Sequence, residues 1–293
     1  MVVIVKNDRV KKLMKLGPRL KTIASFVPRG TNLADIGTDH AYLPVNLLQQ
    51  RVIAKAIGVD NHRGPYESAL ETVRAHGLTD MIEIRLGNGL VPIKKGEVET
   101  LVIAGMGGKN ILEILQSNPP VMEDIRTLIL QPQGAEEQVR VQLLLKEWKL
   151  KAECLVAEEG FIYYVFCFSR LEGYSLKDIE SKIKKLATDL AEFCGFWEQV
   201  DLDKIKAGGI ESAGADSINE ESSILLKYIW KLGPLLLWRK DKLLLDIVEK
   251  TIEQQQRIIN SMTRTKRREI EQAAKGLQAE IHVLEGIKKW LLQ

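Results

Sequence analysis

The sequence predicts an α/β fold over residues 1–170, built on a mostly parallel sheet with helices on both faces. An all-helical region over 171–293 follows it. Two observations carry this. From Asn32 to Ser169, short apolar runs alternate with stretches of helical periodicity, and after Arg170 no strand pattern recurs. Regular strand–helix alternation is the signature of a parallel sheet buried on both sides.

The elements follow in order. "NLADIG" reads as a strand, "AYLPVNLLQQ" as a helix and "AKAIGVD" as a strand. "GPYESALETVRAHG" is a helix, with Pro65 near its first turn and Gly77 at its end. "IEIRLGNG" and "TLVIAGMGG" are strands, "KNILEILQSN" a helix, "TLILQPQ" a strand and "AEEQVRVQLLLKEWKL" a helix. "KAECLVAEEG" and "FIYYVFCFSR" end the region as two strands able to pair antiparallel. Beyond them, "SLKDIESKIKKLATDLAEFCGFWEQV" is an amphipathic helix, and the polar, glycine-rich residues 206–223 read as a flexible loop. Leu235 to Leu292 is helical in pattern throughout. A break near "SMTRTKRRE" suggests two long antiparallel helices joined by a basic turn.

Composition narrows the function classes. The chain has 293 residues, 45% hydrophobic and 28% charged, which suits one or two ordinary globular domains. Cys154, Cys167 and Cys194 have neither CxxC spacing nor a histidine cluster, so a disulfide framework and a metal site are both disfavoured and a reducing cytoplasm is expected. The opening apolar run is too short for a signal core or a membrane span. The net charge of +3 is unevenly spread. Residues 1–30 hold eight Lys/Arg against one acid, and residues 231–293 hold thirteen against eight, around an acidic middle. Basic ends point to a polyanionic partner; solvated helix faces are the competing reading.

In an open parallel sheet, ligands bind beyond the carboxyl ends of the strands. Here those ends are Asp35–Ile36–Gly37, Asp60, Asn88–Gly89, Gly105–Met106 with Gly107 and Gly108, and Gln131–Pro132–Gln133. A dinucleotide site needs Gly-x-Gly-x-x-Gly so that backbone N–H groups reach a pyrophosphate. In "LADIGTDHAYLP" a carboxylate, Asp39, stands in that turn, where it would repel a pyrophosphate. S-adenosylmethionine has no phosphate and carries cationic groups that carboxylates can meet. Gly37 permits close backbone approach, Asp60 is placed to accept both ribose hydroxyls, and Asn88 can accept from the adenine amino group. Asp39 has a second reading, as a cap on the following helix.

"LADIGTDHAYLP", "IAGMGG" and "LILQP" in this order, with "GPY", "RLGNGL" and a late "LGPLL", resemble the bacterial tRNA (adenine(22)-N1)-methyltransferase family, TrmK. The likeness is close from about Arg19 to Arg170 and looser beyond. It implies a Rossmann-like class I methyltransferase domain over 1–170, S-adenosylmethionine as cofactor, tRNA as substrate, and a C-terminal coiled-coil-like helical hairpin that helps hold tRNA. Three features depart from the family pattern. Asn88 stands where an acid is usual, Gln133 where asparagine is frequent, and the stretch from about Glu172 to Ser223 is longer.

For such a reaction, N1 of adenine already offers a free lone pair, so orientation and electrostatics matter more than proton removal. N1 lies on the Watson–Crick edge and must be exposed by extruding the base. Tyr42 is the candidate stacking platform, with covering the sheet edge as its alternative role. His40 is placed to bond base or cofactor, Gln131 and Gln133 to read polar atoms of the base, and Pro132 to stiffen the strand exit. Arg19 is read as a fork to the methionine carboxylate, with a phosphate contact as the alternative. Lys11, Lys12, Lys15, Arg264, Lys266, Arg267 and Arg268 are the expected tRNA phosphate contacts. Methylation of another RNA position or of a protein, and a noncatalytic RNA-binding module with a residual pocket, are the alternatives. Protein partners are left open.

Overall fold

The computed structural model of the protein describes residues 13–195, 220–262 and 268–293. Seven strands, β1 (Asn32–Ile36), β2 (Lys55–Asp60), β3 (Ile82–Leu86), β4 (Thr100–Met106), β5 (Thr127–Pro132), β6 (Lys149–Glu158) and β7 (Phe161–Ser169), form one sheet in the order β3-β2-β1-β4-β5-β7-β6. β1 pairs parallel with β2 and β4, and β2 pairs parallel with β3. β6 and β7 pair antiparallel, as their sequence suggests. Strand order reverses between β1 and β4, the switch point at which open sheets of this kind bind ligands.

The chain divides into two compact units. One runs to Gly105 and includes Leu112–Leu130; the other holds Met106–Ile111 and everything from Gln131. In the first unit, α1 (Pro18–Ser25), α2 (Tyr42–Gln49) and α3 (Arg63–Ala75) accompany β1 to β3, and the short α5 (Pro119–Met122) precedes β5. The sequence patterns identify α2 and α3 but miss α1. Its signal is Gly17–Pro18, with the proline at the first helical position, where its absent N–H is not needed. β1 is buried on both faces, through Leu33, Ala34, Asp35 and Ile36, which is why it reads as a continuous apolar run rather than an alternating one.

The second unit contains α6 (Glu136–Leu145), α7 (Leu176–Cys194), α8 (Glu220–Leu232), α9 (Pro234–Trp238), α10 (Leu243–Met262) and α11 (Arg268–Leu291). Two helices end sooner than their periodicity predicts, for the same reason. The helix expected over 135–150 stops at Leu145. Glu147 turns left-handed, with φ of 62°, and the Trp148 N–H bonds back to Leu143 O at 3.0 Å. The unbroken helix expected from Leu235 is interrupted after Trp238. Lys240 has φ of 51°, and the Asp241 N–H returns to Leu236 O at 3.0 Å. A left-handed residue followed by this six-to-one bond is a helix terminator that apolar spacing cannot reveal. The loop expected over 206–223 also needs correction at its end. Residues 220–223 belong to α8, and Ser222 is buried; residues 206–219 lie outside the described residues. α7 starts as sequence rules dictate, with Ser175 and Asp178 forming a reciprocal capping box.

α10 and α11 run antiparallel. Lys288 meets Glu249 at 3.0 Å, and further along Gln255 Nε2 donates to Glu280 Oε2 at 2.6 Å. That carboxylate also accepts from Lys227 Nζ at 2.7 Å and the Tyr228 hydroxyl at 2.6 Å, both on α8. Burial pushes the Glu280 carboxyl up, but these donors outweigh it and hold it below its ordinary value.

A second buried node fixes α9. Arg140 on α6 and Glu153 on β6 are both fully buried and pair at 2.9 Å. Glu153 Oε1 accepts the backbone N–H groups of Leu235 and Leu236 at 2.6 and 3.2 Å, and Arg140 donates to Trp230 O. "LGPLL" is therefore the mouth of a short helix closed over a carboxylate. A side chain on Gly233, whose φ is 103°, would stand 3.0 Å from both Glu153 oxygens. Among the described residues, no helix is long and apolar enough to cross a membrane.

Candidate functional site

The turn between β1 and α2 is held in an unusual backbone path. Gly37, Asp39 and Ala41 all take positive φ, at 75°, 52° and 56°. Gly37 and Thr38 both donate their N–H groups to Val59 O, at 2.8 and 3.0 Å, so the turn is sewn to the end of β2. Left-handed alanine costs roughly 1 kcal/mol or more. Ala41, fully buried, is over-determined by its packing. The capping reading of Asp39 does not hold: Ala41 is the residue before α2, and no side chain caps the helix.

Asp60, at the end of β2, is buried yet directed at the same turn. Its Oδ2 accepts the Asp39 N–H at 3.2 Å and its Oδ1 the His62 N–H at 3.0 Å. Each oxygen of an ionised carboxylate has two acceptor positions, so both remain able to take a further hydrogen bond. A pair of adjacent hydroxyls is the natural complement. Beyond β3, Asn88 is exposed, and Gly89, with φ of 53°, lies where an added Cβ would meet Ile114 at 3.2 Å. This loop is anchored by Arg85, which meets Glu83 at 2.8 Å and Glu97 at 2.6 Å and donates to Pro92 O at 2.7 Å. At the end of β4, Gly105 has φ of 77°, and Arg19 Nη1 lies 3.9 Å from where its Cβ would stand. Arg19, Asp35, Gly37, Asp39, Asp60, Asn88, Gly89 and Gly105 thus all belong to the first unit, at the carboxyl ends of β1 to β4 or on the helix beside them.

Asp35 is the electrostatic oddity. Burial pushes its carboxyl from 3.8 up to about 6; a hydrogen bond from Thr38 Oγ1 at 2.8 Å opposes the rise and the neighbouring Asp60 charge adds to it. Thr38 is a site residue the sequence reading missed; the Asp-x-x-Thr spacing was its only signal. Gly58 makes room for it, since a Cβ there would approach Thr38 Cγ2 to 3.0 Å. Because the folded value is raised, Asp35 contributes stability that is fully present below 3.8 and lost as pH rises through about 6. Asp35→Asn, which removes the buried charge, is therefore expected to stabilise the ligand-free protein by about 2–3 kcal/mol at pH 7. The gain should vanish below pH 4. Urea denaturation at both values checks it, and an equal gain at both would show that folding does not raise the Asp35 carboxyl above its ordinary value.

Tyr42 is the first residue of α2 and 41% exposed, so its ring stands open at the lip of the turn. It stacks on the His40 ring, with centroids 5.1 Å apart and planes at 15°. His40 Nε2 lies 3.7 Å from Asp39 Oδ2. The result is a two-ring platform beside a carboxylate.

In the second unit, Met106 O accepts the Gln133 N–H at 2.8 Å, which joins the ends of β4 and β5. Gly108 opens α4 (Gly108–Gln116), where a Cβ would stand 2.6 Å from Gly134 O, so only glycine fits. Gln131 is fully buried and its Nε2 donates to Pro132 O at 2.9 Å; Pro132 is buried and Gln133 exposed. Of the expected phosphate contacts, Lys15 is exposed. Lys11, Lys12, Arg264, Lys266 and Arg267 lie outside the described residues, and Arg268 begins α11. Among the described residues, no group of three or more His, Cys, Asp or Glu is arranged to hold a metal ion.

Comparison with known proteins adds to this geometry. Residues 16–166 match the methyltransferase domain family. Over 152 residues the chain is 39% identical to the tRNA (adenine(22)-N(1))-methyltransferase of Bacillus subtilis, a match covering 52% of this chain and 64% of that protein. The chain thus spans just under two thirds of that relative's length. The crystal structure of B. subtilis TrmK superposes with a TM-score of 0.70 at 26% identity, covering 94% of this chain and 99% of the other. A Streptococcus pneumoniae protein solved with S-adenosyl-L-methionine superposes with a TM-score of 0.67 at 25% identity, covering 94% and 100%.

Proposed function

We propose, from the premise that the chain belongs to the methyltransferase domain family and groups with its TrmK members, that it transfers a methyl group from S-adenosylmethionine to N1 of adenosine 22 in tRNA. The observation that carries the reading is Asp60, a buried carboxylate with both oxygens fixed by backbone N–H groups and both still able to accept. The cofactor supplies an electrophilic methyl group on a sulfonium.

The chain's own residues do the rest. Asp60 takes the ribose hydroxyls, and Asn88 the adenine edge. Gly37 and Gly105 let the backbone come close, and Met106, a further cofactor contact in this reading, follows Gly105 in the chain. Arg19, beside Gly105, holds the methionine carboxylate. Asp35 and Asp39 offer negative charge to the cationic end. No residue needs to remove a proton before attack, because N1 carries its own lone pair. The contribution of the site is placement, which is worth roughly 7–11 kcal/mol in favourable cases. Tyr42, backed by His40, stacks the extruded base, a contact of about 1–3 kcal/mol. Gln133 reads the base edge, with Gln131 and Pro132 holding the strand exit beneath it. Lys11, Lys12, Lys15, Arg264, Lys266, Arg267 and Arg268 meet tRNA phosphates, and the reaction takes place in the cytoplasm.

Methyl transfer from labelled S-adenosylmethionine to unmodified tRNA with adenosine at position 22, beside the same tRNA with guanosine there, tests the reading. Label on the adenosine form alone, mapped to N1, is the expected result. Label on both forms discards position 22, and label on neither discards tRNA as substrate.

A further inference from the structure

A second recess lies in the first unit, between α1 and α2. It is a cleft of about 700 Å³, and its lining includes Lys15, Lys21, Arg29, Asn46 and Gln50. Its charged residues are all basic. Among the described residues, no ion pair engages Lys15, Lys21 or Arg29, all of which line the cleft. Apart from Ser25, the remaining lining is apolar, from Leu16, Val27, Leu47 and others.

The cleft connects to the platform through α2. Tyr42 and Asn46, four residues apart, share one face of that helix, and Gln50, which closes its end, continues the row. The row is fixed in place. Asn46 Nδ2 donates to Met14 O at 2.7 Å, Gln50 Nε2 to Asn46 Oδ1 at 3.0 Å, and the Met14 N–H to Gln49 Oε1 at 2.7 Å. These bonds tie the segment before α1 to α2 and define the cleft wall. α1 shows a division of labour along its length: Arg19 turns to Gly105, while Lys21, Ala24 and Ser25 turn to the cleft.

We propose that this cleft holds the sugar–phosphate backbone of the RNA segment flanking the target base, with Lys21 and Arg29 as phosphate contacts alongside Lys15. The inference rests on the tRNA reading above and deepens it. A base lying on Tyr42 leaves its neighbouring phosphates to continue somewhere, and the Tyr42–Asn46–Gln50 row leads to three cations that no described residue pairs. The apolar floor suits the carbon face of the riboses. Such contacts position the strand and carry no sequence information.

The test is the salt dependence of binding, measured with the full chain on unmodified tRNA and, in parallel, on single-stranded polyuridylate. Each neutralised phosphate contributes about 0.7–0.9 to the slope of log K against log salt. K21E/R29E is expected to weaken binding to both RNAs and flatten the slope by about 1.5. The S-adenosylmethionine-induced rise in melting temperature should be unchanged, which shows that fold and cradle survive. K55E/R74E, two exposed basic residues outside the cleft, should leave the slope near wild type. An unchanged slope in K21E/R29E, or an equal loss in K55E/R74E, overturns the proposal. If the wild-type chain binds polyuridylate but not tRNA, the substrate reading fails, and the polyuridylate slopes alone decide the cleft.

Discussion

Asp60→Ala is expected to abolish the thermal stabilisation that S-adenosylmethionine gives the wild-type chain. At 100 times its dissociation constant, a ligand adds about 2.7 kcal/mol to folding stability. Two hydrogen bonds from hydroxyls to a carboxylate are worth about 1.5–3 kcal/mol each, so losing both weakens binding roughly a hundredfold or more and removes that increment at the same ligand concentration. The substitution also strips the Asp39 and His62 N–H groups of their acceptors, so the ligand-free protein should itself melt lower. Asp60→Asn separates the two effects. It keeps one oxygen acceptor for the turn but replaces the other with a donor, so it should restore most of the fold and little of the binding. Scanning fluorimetry with and without ligand reads both quantities. A full ligand-induced shift in Asp60→Ala would mean that the cofactor lies elsewhere.

The second large effect is expected far from any ligand. Glu153→Ala should cost about 3–5 kcal/mol, the usual penalty for leaving a buried charge without its partner. Arg140 and Glu153 are both at 0% exposure, and the second Arg140 amino group, Nη2, already has no partner among the described residues. Removing the carboxylate also frees the Leu235 and Leu236 N–H groups at the mouth of α9. The penalty is a sizeable part of a typical folding stability of about 5–15 kcal/mol. Pairing the change with Arg140→Met should recover part of the loss, because it removes the buried charge left without its partner, while the Leu235 and Leu236 N–H groups stay without their acceptor. Urea denaturation of the single and double variants decides it. A loss below about 1 kcal/mol in the single variant would show that water or a neighbouring group satisfies Arg140 instead.

Much of this was legible before any coordinates. The strands of the sheet each announce themselves as a short apolar run, and the residues ending them set out the site because a parallel sheet places all its loops of one kind on one edge. What periodicity could not carry were events fixed by backbone conformation or distant packing. The ends of α6 and α9 depend on left-handed Glu147 and Lys240, which no apolar pattern encodes. α8 was partly lost because its polar first turn, Glu220 to Ser223, resembles the loop before it, although Ser222 is buried. Asp60 was visible by its place after a strand. The two N–H groups that aim it were not, since they come from a turn 21 residues away and from its own loop. The α1–α2 cleft was invisible for the same reason: it exists only once separate segments are brought together.

The Glu280 carboxylate has a consequence for how the helical part comes apart. It joins Lys227 and Tyr228 of α8 and Gln255 of α10 to α11, and Gln255 Nε2 also donates to the Tyr228 hydroxyl at 2.8 Å. Peeling any one helix away breaks at least two of these four bonds, so the opening of one segment loosens the hold on the other two.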